Sequence, residues 1–327
     1  MELCIDFGGT EIKLAVIDGS SVVTASSIPV LSSAADLTSA AAEAHRLLAH
    51  PVDAAPTAQP APTAQAAPAA APATQPAPPA PAARAVDAVG IAVPGVVDPS
   101  TGRMLHANAK YDFLRGFDLN AWSVAEFGVP AVVENDARAA LIGETSSGSA
   151  AGERDAVLVT LGTGIGTAAL IDGAPLRGRT GHAGILGGHL TVELDGPVCP
   201  CGNIGCGEAL ASTWVLPDDI TMTEVFTTDA HPALRARFLH VWGAVVTSLV
   251  HAYDPTVVVL SGGILRAGET VRAPIEAHVR EHLWPSMTPP RFVVPPEPEL
   301  SVARGLSVLA RTATPHHPAH HPVQEEQ

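Results

Sequence analysis

The chain has 327 residues, 46% of them hydrophobic, and a formal charge of −15; it is long enough for two lobes with separate cores. It has no run of about 18 apolar residues and no basic segment leading into an apolar one at its start, so it is expected to be cytoplasmic, neither exported nor membrane-bound. The 18 Lys and Arg residues are scattered, and the acidic excess argues against nucleic acid and anionic lipid as partners.

The chain opens with a strand, a tight glycine turn, a second strand and an Asp-Gly turn, from Ile5-Asp6-Phe7-Gly8-Gly9-Thr10 to Asp18-Gly19, which is the start of an antiparallel meander. Gly8 and Gly9 let backbone N–H groups approach phosphate oxygens, Thr10 follows them, and Lys13 offers a positive charge. Asp6 offers a carboxylate to Mg²⁺, directly or through water. A helix is expected over 34–49. Residues 51–83, almost all Ala, Pro, Thr and Gln, bury too little apolar surface to offset their ordering entropy and read as a disordered or polyproline-like loop inside the first lobe.

Strands are expected over 86–93 and 131–134. The second ends at Asn135-Asp136 and turns at once into a helix over 136–144. Two readings fit this corner. In one, Asp136 only caps the helix. In the other, the helix N-terminus keeps the Asp136 carboxylate ionised to take the proton of an attacking hydroxyl, while Asn135 binds a neighbouring hydroxyl.

The opening plan recurs at Val159-Thr160-Leu161-Gly162-Thr163-Gly164-Ile165-Gly166-Thr167 and onward to Asp172-Gly173. This second turn carries no charge but offers N–H donors and two hydroxyls, so the two turns together can grip a triphosphate from both lobes. A helix is expected over 232–251 and a strand over 256–260, followed by Gly262-Gly263, where a base and ribose can lie against backbone without side chains. Between these, His189, Cys199, Cys201 and Cys206 form a compact Cys₃His set that matches tetrahedral zinc. Four protein ligands close the shell, so this zinc is expected to be structural. Cys4, in an apolar strand, reads as a buried small hydrophobe.

With these motifs, Val93-Pro94-Gly95 and Gly205-Cys206-Gly207-Glu208, the chain resembles the ROK family of sugar kinases and repressors over nearly its whole length outside the insert and the tail. The resemblance implies a two-lobed α/β fold of the actin-like ATPase (RNase H-like) type, with ATP in the interdomain cleft. It implies ATP-dependent phosphorylation of a hexose or N-acetylhexosamine, with Asp136 as the base and Asn108, Asn135, His189 and Glu208 on sugar hydroxyls. His189 then serves both zinc and substrate, and a homodimer or higher homo-oligomer is expected. The expected organisation is a first lobe to residue 134, a second over 135–300 with the zinc site, a helix at 301–315 packing back on the first lobe, and a flexible His-rich tail over 316–327.

One departure stands out. Where the family carries a sugar-contacting Glu shortly before the zinc histidine, this chain has Gly184-Ile185-Leu186-Gly187-Gly188-His189, with one extra residue and apolar side chains. His182 and Glu193 are the nearby candidates to replace that acid. A sugar-sensing regulator and a non-catalytic sugar-binding scaffold are the competing readings. Repressors of the family carry a DNA-binding segment ahead of the kinase-like part, whereas here the first strand begins within a few residues of Met1.

Overall fold

The computed structural model describes residues 1–49, 85–107 and 109–313. The expectations for the insert at 51–83, for Asn108 and for the tail at 316–327 therefore lie outside the described residues.

The first half builds a meander from β1 (Glu2–Phe7), β2 (Glu11–Asp18) and β3 (Ser21–Pro29). Next comes α1 (Ala35–Ala49), whose buried Leu37, Ala40, Ala44, Leu47 and Leu48 recur at helical spacing and share one core with Leu3, Ile5 and Phe7 of β1 and Ile12, Leu14 and Val16 of β2. Then follow β4 (Ala88–Val93), the small hairpin of β5 (Gly95–Val97) and β6 (Met104–Ala107), α2 (Leu119–Phe127) and β7 (Ala131–Asn135). The resulting five-stranded sheet has the order β3-β2-β1-β4-β7, with β1, β4 and β7 parallel.

After α3 (Asp136–Ser147), the plan repeats with β8 (Ala156–Leu161), β9 (Ile165–Ile171) and β10 (Ala174–Pro175). The short helices α4 (Gly207–Leu210) and α5 (Met222–Thr227) lead to α6 (Pro232–Tyr253), β11 (Val257–Ser261), α7 (Glu269–His282), β12 (Arg291–Val293) and α8 (Pro298–Ala313). The second sheet runs β10-β9-β8-β11-β12 and thus copies the first in order and direction. In its hairpin turn Asp172 and Gly173 both take positive φ, 50° and 76°, as an Asp-Gly two-residue turn requires. In the first copy Asp18 stays in the strand, and Gly19 alone takes positive φ, at 63°.

Two helices cross between the halves. Ala137, Ala140 and Leu141 of α3 pack on Leu158, Ala168 and Val257 of the second sheet. Leu306 of α8 packs on Cys4, Ala15 and Ala92 of the first. The helices meet at two glycines: a Cβ on Gly143 would stand 2.1 Å from Ser301 O, and one on Gly305 would stand 1.8 Å from Ala139 O. Beside this crossing the buried Glu144 accepts from Ser301 Oγ at 2.6 Å. Gly305→Ala is expected to force the helices apart and cost about 1–3 kcal/mol, read as a lower urea midpoint at unchanged slope. Among the described residues no helix is long and apolar enough to cross a membrane.

Candidate functional site

In open α/β sheets ligands bind outside the carboxyl ends of the strands. There β1, β4 and β7 end at Phe7, Val93 and Asn135, and β8 and β11 end at Leu161 and Ser261. The three glycine turns and the Asn135-Asp136 corner follow these ends directly.

At the first turn the Gly8 N–H donates to Asp6 O (3.0 Å) and Glu11 O (3.1 Å). A Cβ there would come within 2.7 Å of Glu11 O, so only glycine fits. The turn is braced from outside by residues the sequence reading did not single out: Tyr111 Oη donates to Gly8 O at 2.7 Å and Lys110 Nζ to Gly9 O at 2.8 Å. Gly9 and Thr10 form its exposed tip. Asp6 and Lys13 are directly opposed on β1 and β2. With Glu11, Ser27, Glu299 and Leu306 they line a cavity of about 310 Å³ against α8. Asp6 is buried, and its Oδ1 has no hydrogen-bond partner among the described residues. Burial, then the nearby Asp136, push its carboxyl up to about 7 against the pull of Lys13.

The Asn135-Asp136 corner shows which residue caps α3. Asn135 is the cap: its Oδ1 accepts from Arg138 N (3.0 Å), and its Nδ2 donates to Gly95 O (3.1 Å) and Asp136 Oδ1 (3.0 Å). Both N–H groups of its amide are thus engaged by protein carbonyl and carboxylate oxygens. Asp136 is half-buried, and its Oδ1 also accepts from Ala137 N at 2.8 Å. Burial holds its carboxyl above the usual range, opposed by the N–H groups of Ala137 and Asp136, the Asn135 amide and Lys13.

Beneath this corner is an ionic cluster that the sequence reading missed. Glu134, 4% exposed, accepts from Arg138 Nη1 (2.7 Å), Asn135 N (2.8 Å) and Arg177 Nη2 (2.6 Å). Arg138, 1% exposed, also donates to the carbonyls of Leu176 (3.1 Å), Gly181 (3.0 Å) and Ala183 (3.1 Å).

At the second turn Gly162 N donates to Gly164 O at 3.1 Å, and Gly162 O accepts from Thr213 N and Oγ1 at 3.0 and 2.9 Å. Glu208 Oε2 accepts from Ile165 N at 2.8 Å and fills the space where a Cβ on Gly164 would stand, 2.4 Å away. Gly166 lies within β9, and a Cβ there would be 3.7 Å from Ala137 Cβ, so the start of α3 abuts this hairpin. Of the two hydroxyls expected here, Thr163 is exposed, but Thr167 is fully buried and is spent donating to Gly184 O (2.8 Å) and accepting from Gly187 N (2.9 Å). Gly262 takes φ 101° with its Cβ position 2.1 Å from Leu161 O, which sets the exposed Gly263 beside the second turn.

The ligand atoms of His189, Cys199, Cys201 and Cys206 all lie within 4.8 Å of one another. His189 presents Nδ1 to Cys199 Sγ at 3.6 Å, and Cys201 and Cys206 Sγ are 3.7 Å apart. Soft thiols and one imidazole converging this closely fit Zn²⁺. Cys206 is also the N-cap of α4, the helix that carries Glu208. In the departing segment Gly187 and Gly188 pack on Thr167 and Ile165, and Leu186 is exposed. Of the candidates for the missing acid, His182 bonds through Nδ1 within its own turn to Thr180 (3.0 Å), and Glu193 pairs with Arg237 (3.2 Å).

Residues 77–313 match the ROK family model. Over 226 residues the chain is 30% identical to a glucokinase of Halalkalibacterium halodurans, covering 60% of this chain and 67% of the relative. It is 28% identical to a xylose repressor of Bacillus spizizenii over 61% of this chain, and there it spans only 54% of the relative's length. A solved ROK hexokinase from Thermus thermophilus superposes with a TM-score of 0.73 at 27% identity, covering 95% of this chain and 97% of that one. Its mixed α/β architecture fits the two-lobed, actin-like expectation.

Proposed function

The chain belongs to the ROK family, and from that premise we propose that it transfers the γ-phosphate of ATP to a hydroxyl of a hexose or N-acetylhexosamine. The observation that carries this reading is the gathering of Asp6, Lys13 and Asp136 beside the braced first glycine turn: Asp6 and Lys13 are directly opposed on β1 and β2, Asp136 is near enough to raise the Asp6 carboxyl, and Lys13 pulls both carboxyls down. Phosphoryl transfer needs positioning, neutralised phosphate charge and one proton acceptor. In this reading the two turns hold the phosphates, Lys13 offsets their charge and Asp136 takes the hydroxyl proton. The buried, unpartnered Asp6 Oδ1 fits a hard divalent cation or its water. Mg²⁺ bound there would supply further neutralisation of the phosphates. Glu208 and His189 stand on the second half as sugar contacts, and zinc has a structural role.

A screen of sugars for Mg²⁺-dependent ADP release tests this. Release with at least one hexose is expected, and silence across the panel would refute the kinase reading. The xylose repressors among the relatives favour one alternative, a sugar-sensing regulator. That reading predicts sugar binding by calorimetry without ADP release. Tyr111→Phe removes the bond to Gly8 O and is expected to weaken ATP binding by about 2- to 12-fold, from a net hydrogen bond of about 0.5–1.5 kcal/mol, with sugar affinity unchanged.

A further inference from the structure

We infer that Arg138, with Glu134 and Arg177, is a positioning group that locks the corner carrying Asp136 to the loop leading to His189. The inference rests on the phosphotransfer reading above. A buried ion pair is a poor source of stability, since apolar residues of similar volume usually serve as well. What an arginine adds is a planar fork of fixed geometry. Four bonds leave that fork here: Arg138 Nη1 goes to Glu134, Nε to Leu176 O, and Nη2 to Gly181 O and Ala183 O.

All three carbonyls belong to the segment that leaves the second sheet after β10, and Arg138 is two residues from Asp136 on α3. Glu134 completes the clamp from below: Oε1 also takes the Asn135 N–H, and Oε2 takes Nε and Nη2 of Arg177, in that same segment. The loop is seated on the first half as well, because a Cβ on Gly181 would stand 2.1 Å from Val97 O. It then turns at Gly184, at φ 82°, where Thr167 holds its carbonyl, and five residues later reaches His189. One guanidinium thus gives a common support to the proton acceptor on one side and the approach to the zinc histidine on the other.

The test compares Arg138→Lys, Arg177→Met and Asp136→Asn in the full chain. Lysine keeps a cation beside Glu134 but cannot reach three carbonyls. Arg177 is 32% exposed, so its replacement relaxes the same clamp at smaller risk to folding. Outer hydrogen-bond partners that orient metal ligands are worth about 10- to 100-fold, and a loss of that order is expected for partners that orient a proton acceptor. The expected result is a kcat reduced by that factor in Arg138→Lys and by about 3- to 10-fold in Arg177→Met, with KM for ATP within about two-fold in both; the thermal midpoint should hold in Arg177→Met and fall in Arg138→Lys, which leaves buried carbonyls unpaired. Hydrogen exchange should quicken across 177–183 and not in β11. If Asp136→Asn is inactive while both arginine variants keep wild-type kcat, the positioning role is overturned and the base reading stands. If Asp136→Asn remains active, the base reading fails and the positioning role falls with it. A parallel loss of kcat, ATP affinity and midpoint would mark a merely structural cluster and also overturn the inference. Should Arg138→Lys fail to fold, Arg177→Met decides by the same readings.

Discussion

Asp136→Asn is expected to lower sugar-dependent ADP release by about 10²- to 10⁴-fold, the usual worth of a general base, while thermal midpoint and zinc content stay at wild type. The asparagine keeps an oxygen for the bonds from Ala137 N and the Asn135 amide, so the corner holds its shape, and only the ionisable acceptor is lost. Because burial raises the Asp136 carboxyl above its ordinary range, the wild-type rate should be full above that raised value. It should fall as pH drops through it, since only the carboxylate accepts a proton. The substitution also removes one of the causes that raise Asp6, so the Asp6 carboxyl should titrate below about 7 in the variant, which carboxyl-region NMR can follow. Unchanged turnover in Asp136→Asn would remove it as the base.

Loss of the metal is the second large effect. The purified chain is expected to carry one zinc, and Cys206→Ser or prolonged chelation should lower stability by several kcal/mol, because binding a structural metal is itself folding free energy. The damage should follow the chain outward from the ligands. Cys206 caps α4, Glu208 on α4 holds Ile165 N, and Thr213 just beyond holds Gly162 O. Exchange over 198–213 and at the second glycine turn should therefore quicken, and ATP should bind more weakly, while the first sheet stays protected. Protein isolated without zinc and indifferent to chelators would contradict the assignment.

The duplicated strand–turn–strand plan was legible because it rests on local signals: short apolar runs, glycines at strand ends and an Asp-Gly turn. The Cys₃His set was legible for the same reason, since its ligands are concentrated in a short segment. The Asn135-Asp136 corner was half legible, because two adjacent residues each able to cap a helix leave open which one does, and only the bond from Arg138 N to Asn135 Oδ1 decides it. What stayed hidden depends on distant partners. Arg138 finds its acceptors at 176, 181 and 183, and Tyr111 reaches Gly8 across more than a hundred residues. No periodicity announces such pairs. Thr167 misled for a related reason: a hydroxyl next to a glycine turn looks available until the chain at 184–187 folds over it.

The most direct measurement is a structure of the chain with a non-hydrolysable ATP analogue and its sugar bound. The triphosphate should lie between the turns at Gly8–Thr10 and Gly162–Gly164, with one sugar hydroxyl about 2.6–3.2 Å from an Asp136 oxygen and in line with the terminal phosphate. A nucleotide seated away from both turns, or a sugar with no hydroxyl within reach of Asp136, would contradict the account.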